Sequence, residues 1–450
     1  MKLIKKIETT TGIEYIGEEE TTPEHNQLDG LQGGTTDEYY HLTATEQSNL
    51  HTHTNKDILD GIIDTGDGDE FLADDGTYKT IDAGLEYFDE NRNNSSPNAA
   101  VPAHQLIVKG DETSIDLVLS SKGAGAIIAQ IPDGTATGGN KRGNNAVDFQ
   151  KKRNNANQVA TSLGSGVIAG ANNRVGTSTS DTANYSFIGA GINNYIAGSL
   201  IGKTGQFIGA GSGNACDVKC SGIMAGETNT IHTSDYGGSC AIAAGKSNYI
   251  NVPSNNGKGY MAIVAGESNW CGQTHSIIGA GLGNYIDGEY AGILSGSYGK
   301  VEFYGQQAHA SGRFTALGDA QRSDYVLRGN TLTTNYYRLY LDGSSALIDL
   351  SQTGAYSTWQ CKLKVTGIRK LTGSIDHYNS EHNFMIYREN STPVIADLTE
   401  IHTHQVVGSS VATGVSITTN SLAIDIATTE NNWQFVAHLE TVETFSSSLV

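Results

Sequence analysis

Nine short segments between residues 167 and 317 repeat one pattern, and no feature restricts the fold of this chain more. Each runs through two or three apolar residues to a glycine. In most, an asparagine follows three places later, and then a β-branched residue. FIGAGINNYI (187–196), GIMAGETNTI (222–231), AIAAGKSNYI (241–250) and IIGAGLGNYI (277–286) are examples. The aligned glycines are Gly170, Gly191, Gly211, Gly226, Gly245, Gly266, Gly281, Gly296 and Gly312, spaced 15 or 16 residues late in the array and 19 to 21 where loops intervene. Self-similarity at a fixed period predicts a solenoid. Apolar alternation makes a short strand, and the glycine permits a tight corner with φ > 0 or close backbone approach. The asparagine tolerates a left-handed turn and bonds its own backbone there. At about 3.3 Å per residue, one coil holds two strands of roughly five residues and two turns. A coil this thin cannot bury its apolar face alone. Coils therefore stack, and the flank left over predicts further copies of the chain as cover, in a parallel homotrimer.

Composition agrees with such an object. Glycine is 55 of 450 residues, proline 6, and only 17% of residues are charged. Helix propensity is poor almost throughout, so the fold class expected is mainly β. The formal charge is −20, and most of the excess lies in the first hundred residues, in runs such as GEEE (17–20) and DTGDGDE (64–70). Phosphate backbones need clustered Lys and Arg, so no nucleic-acid partner is expected. No apolar run reaches 18 residues, which predicts no membrane insertion, and no signal-peptide pattern opens the chain. Synthesis in the cytoplasm without a signal peptide follows as an expectation. The five cysteines form no CxxC pair, and Cys216 and Cys271 fill a slot that other repeats give to Ile or Val, as small buried residues would. GAGINN and GAGLGN resemble pieces of a dinucleotide fingerprint, but strand-like sequence follows every copy where a Rossmann motif needs a helix.

Several segments together resemble bacteriophage tail fibre and receptor-binding proteins, and the coils also resemble the β-roll heads of trimeric adhesins. The segments are HNQLDGLQGGTTDEYYHLTATEQSNL (25–50), HTHTNKDILDGI (51–62), FLADDGTYKTI (71–81), residues 117–150, QQAHASGRFTALGDAQRSDYVLRGNT (306–331) and NNWQFVAHLETVE (431–443). The resemblance implies a fibrous homotrimer in the virion tail. Its N-terminus would join other tail or baseplate proteins, and its C-terminal domain would meet a host surface glycan or protein. The expected order is an attachment arm (1–24), a neck with a short helix near Thr43 and acidic loops (25–102), and a β-rich connector (103–162). The β-roll (163–329) and a C-terminal antiparallel β-sandwich-like domain (330–450) complete it. A tailspike-type polysaccharide depolymerase is the alternative, as is the adhesin or fibre of a phage-like contractile injection system.

The pairs His51/His53 and His402/His404 place two imidazoles on one side of an extended chain. In a threefold trimer three such pairs offer six nitrogens, enough for a transition-metal ion, and some phage fibres hold iron this way. Surface histidines are the plain reading. For receptor binding, DHYNSEHN (376–383) is expected as a loop between two strands, with His377, Tyr378, Asn379, Glu381 and His382 suited to a glycan. Glu227 and Glu267 share a slot after the corner glycine and read as solvated turns. With no GxSxG and no Cys/His constellation, the chain is expected not to be an enzyme.

Overall fold

The computed structural model describes strand segments among residues 1–112. It also describes residues 113–450, apart from 115, 178–182, 199–203, 234–237, 254–258, 332–335, 353–354, 391, 406–409 and 447–450. The chain divides into two compact units, Met1–Val118 and Leu119–Val450. The first contains three antiparallel strand pairs: Lys6–Thr9 with Gly12–Tyr15, Glu70–Leu72 with Tyr78–Thr80, and Phe88–Asn93 with Ala103–Val108. The neck helix expected near Thr43 lies outside the described residues.

The second unit is a β-solenoid followed by antiparallel sheets. Each of eight coils contributes two short strands, as in Ala262–Ile263 and Trp270–Cys271, and coils pair in parallel, so two sheets run along the solenoid. Inside, two rows stack without exposure: Val167, Ile188, Ile208, Ile223, Ile242, Ile263, Ile278 and Ile293 from one sheet, and Val175, Ile196, Cys216, Ile231, Ile250, Cys271, Ile286 and Val301 from the other. In-register stacking lets every coil bury the same side chain against its neighbours, which is how a two-residue strand becomes stable. Burial pushes the Cys271 thiol up to about 12, so it is an apolar filler.

The corner works differently from the sequence expectation. Besides the glycine, the left-handed position is the second residue after it and not the third, for example Ser247 (φ 53°) or Ser268 (φ 57°). The asparagine at the third place points inward instead. Asn173, Asn194, Asn214, Asn229, Asn248, Asn269 and Asn284 form a fully buried ladder. Asn248 Nδ2 donates to Asn229 Oδ1 (3.0 Å) and to the Gly266 carbonyl (2.8 Å), while its backbone N–H also donates to Asn229 Oδ1 (3.0 Å). Eight of the nine aligned glycines, Gly170 to Gly296, have φ between 95° and 136°. A Cβ at Gly266 would stand 2.1 Å from the Gly281 carbonyl oxygen. Gly312 differs: its φ is not left-handed and a Cβ there meets nothing, because the chain leaves the coil at that point.

The exit is built by Gln307–Ala310, which pairs in parallel with the last coil and antiparallel with Ala320–Asn330. One solenoid sheet therefore continues into the C-terminal region as Ala320–Asn330, Trp433–Ser446, Tyr356–Leu371, Ser374–Glu389 and Val394–Gln405. This layer starts before residue 330, the boundary the sequence suggested. A smaller sheet of Tyr337–Leu339, Ile348–Asp349, Val411–Thr418 and Ser421–Thr428 forms a second layer. Tyr325, Leu363, Tyr378, Trp433 and Phe435 of the large sheet and Leu422, Ile424 and Ile426 of the small one share a core.

Candidate functional site

Strand alternation gives each solenoid sheet an outer face, and the two faces differ in chemistry. On the first sheet the outward rows are 166, 187, 207, 222, 241, 262, 277 and 292, and 168, 189, 209, 224, 243, 264, 279 and 294. They hold only Gly, Ala, Phe, Ile, Met, Val and Leu. Met224 (58% exposed) and Leu294 (72%) stand open on it.

The second sheet is aromatic and polar. The outward slot after each buried asparagine holds Arg174, Tyr195, Ala215, Thr230, Tyr249, Trp270 and Tyr285 on successive coils, and Lys300, after Gly299, continues the row. Trp270 and Tyr285 stack at 4.2 Å between centroids with planes 6° apart, and the indole lies over Gly272, where any Cβ would collide with it. Two residues beyond lies a row that includes Asp217, His232, Asn251, Asp287 and Glu302. His232 Nδ1 is 2.8 Å from Asp217 Oδ2. Asp287 and Glu302 follow the paired Ile286 and Val301, so they stand on adjoining coils, with main chains about 4.8 Å apart. Gln273 Nε2 donates to Asp287 (3.1 Å), and Lys300 Nζ sits 2.6 Å from Glu302. Burial, then Asp287 and Glu302, raise the Tyr285 phenol above its ordinary range. A second ring stack, Tyr260–His275–Tyr290–Tyr304, follows another corner. Tyr260, His275 and Tyr290 there take left-handed backbone, and the His275 and Tyr290 rings lie face to face at 4.5 Å. It reads as a structural ladder, with its inner faces already occupied.

The residues singled out from sequence distribute as follows. His51 and His53 lie outside the described residues. The segment 376–383 is not a loop but the middle of the 16-residue strand Ser374–Glu389. Alternation therefore splits the proposed receptor set. His377 and Asn379 are exposed, and Glu381 is half-buried and held by Lys362 at 2.8 Å. Tyr378 and His382 face the core, where the Tyr378 hydroxyl meets Thr413 Oγ1 at 2.8 Å and burial lowers the His382 imidazole against the pull of Glu400. His402 and His404 lie exposed on Val394–Gln405, opposite Glu381 and Asn379. The one group of three metal-ligating side chains found close together among the described residues is elsewhere, at Asp324, His438 and Glu440, with lysines 362 and 364 on the next strand. Glu227 and Glu267 do not meet, since Lys246 stands on the coil between them, 3.6 Å from Glu227. The Trp270–Tyr285 strip was overlooked, although the slot after the asparagine repeats visibly as NYI, NWC and NYI.

Neither a protein-family model nor a curated protein matches the chain. Solved structures that match include three phage tailspike proteins. That of Acinetobacter baumannii phage AM24 is 7% identical, with 72% of this chain and 79% of that one covered and a TM-score of 0.21. That of Acinetobacter phage vB_ApiP_P1 is 9% identical, over 71% and 80%, with a TM-score of 0.18. That of Acinetobacter baumannii bacteriophage Fri1, described as a capsular polysaccharide depolymerase, is 9% identical, over 80% and 77%, with a TM-score of 0.17. The expectation of a chain that is not an enzyme is withdrawn, since a matching structure is itself described as a depolymerase. Likeness this low assigns neither a reaction nor a residue to this chain.

Proposed function

We propose that this chain is a bacteriophage tail protein of the receptor-binding kind that grips a bacterial surface polysaccharide along its solenoid and cleaves it. One observation carries the reading: Trp270 and Tyr285 stand beside the adjoining carboxylates Asp287 and Glu302 on the same outer face. Aromatic bodies with polar neighbours suit sugar rings, whose two faces are apolar and whose rims carry hydroxyls. Glycosidic cleavage uses a pair of carboxylates, and these two stand on coils whose main chains lie about 4.8 Å apart. One, protonated, gives its proton to the leaving oxygen as the other attacks the anomeric carbon. Water then releases the sugar from the enzyme, and each cut leaves one new reducing end.

The uncharged outer face of the first sheet supports assembly. Eight coils at about 4.8 Å make an apolar strip roughly 35 Å long, on which Met224 and Leu294 stand open. Two further copies of the chain in a parallel trimer would cover it, leaving the aromatic face to solvent and the N-terminal unit to join the virion tail.

Purified capsules from a panel of bacteria, assayed for reducing ends, test the reading. At least one capsule is expected to be cut, and Asp287→Asn or Glu302→Gln is expected to slow cutting by about 10²-fold or more. Wild-type rates in both variants would move the chemistry elsewhere.

A further inference from the structure

At the end of the C-terminal sheet away from the 376–383 segment lies a groove of about 420 Å³, within the size range of small-ligand sites. Its floor is set by register. Thr358 stands between Thr444 and Tyr387 on the flanking strands, and Tyr356 stands opposite Glu389. The third ring, Phe314, comes from the loop after the last coil. Phe314 is 76% exposed, an unusual state for a phenylalanine, yet its loop is firmly held. The fully buried Asp319 carboxylate accepts the backbone N–H groups of Phe314 (2.8 Å), Thr315 (2.6 Å) and Ala316 (2.7 Å). Tyr356 is fixed in turn by the Asn390 side-chain amide.

We infer that this groove is a second saccharide site, separate from the solenoid strip, and that it takes a neutral or N-acetylated sugar unit. The inference rests on the glycan reading above and deepens it. Three rings, Phe314, Tyr356 and Tyr387, offer apolar contact to a sugar face. Thr358, Thr444 and Glu389 offer both donors and acceptors to its hydroxyls. Charge decides the class. Glu389 is exposed in the groove, while the one lining cation, Arg388, directs Nη1 to the carbonyls of Leu350 (3.3 Å) and Ser351 (2.9 Å). A uronic acid would therefore meet a like charge.

Saturation-transfer NMR on the full chain tests this, with N-acetylglucosamine, N-acetylgalactosamine, methyl galactoside and glucuronic acid as probes. Binding of at least one uncharged probe and not of glucuronic acid is expected. Phe314→Ala and Tyr387→Ala are each expected to weaken it about tenfold, and to do so as well in a chain that already carries Trp270→Ala. The exposure of Phe314 keeps its variant folded, which an unchanged melting midpoint checks. The inference is overturned if Phe314→Ala binds like the wild type, if only Trp270→Ala loses binding, or if glucuronic acid binds best. In each of those cases capsule cleavage by the solenoid still stands or falls on its own assay. A change in assembly state caused by Phe314→Ala would also overturn it, making the groove a contact between copies.

Discussion

A single asparagine shows how each coil is tied to the next. Asn229 Nδ2 donates to Asn214 Oδ1 (3.2 Å) and the Gly245 carbonyl (2.8 Å), and its Oδ1 receives both donors of Asn248 (3.0 Å each). Buried amides are costly only when unpaired, and here every coil supplies the partner for the next. Asn229→Ala takes the acceptor from two N–H donors of Asn248, while the Gly245 carbonyl keeps the Glu227 N–H. A loss of about 2–3 kcal/mol is expected in urea unfolding, against less than about 0.5 for the exposed Glu267→Ala. Equal losses would remove the ladder from the account. Sequence pattern located this asparagine but mistook its part, because an inward amide and a turn amide leave the same letter at the same spacing. The neighbouring Ser247 and Ser268 take the left-handed turn instead, a strain that no side-chain preference of theirs announces.

At the scale of elements, the two-layer C-terminal core carries a buried acid. Glu443 lies on Trp433–Ser446, 4% exposed, with Gln321 Nε2 at 2.9 Å, the Tyr325 hydroxyl at 3.2 Å and the Thr441 hydroxyl at 2.5 Å. Burial raises its carboxyl above the ordinary range, and the donors from Thr441, Gln321, Ser323 and Tyr325 only partly oppose that. A raised folded pKa means the folded chain keeps a proton that the unfolded chain has already lost. Stability is therefore greatest below the ordinary glutamate range and declines as pH rises through the folded value. Glu443→Gln is expected to flatten this decline, narrowing the gap between acid and neutral unfolding free energies. Parallel curves would contradict it. The strands of this region were legible from alternation, but 376–383 was not. Its Asp, Asn, Ser and His composition reads as a loop, and cross-strand pairing with Tyr356–Leu371 and Val394–Gln405 overrides that preference.

At the scale of the molecule, the repeat made the solenoid legible, whereas the difference between its two faces became visible only once strand register was known. On the proposed reading the apolar face governs assembly. Light scattering is expected to give a trimer mass, and Met224→Asp with Leu294→Asp to lower it, since charge on that face cannot be covered by a second copy. A monomeric wild type would end this part. On the same reading the aromatic face governs function, and sedimentation with purified capsule tests it most directly. Wild-type protein is expected to co-sediment with at least one capsule of the panel, and Trp270→Ala to lose about tenfold or more in affinity with its melting midpoint preserved. Undiminished retention of the Trp270→Ala chain would contradict the central claim.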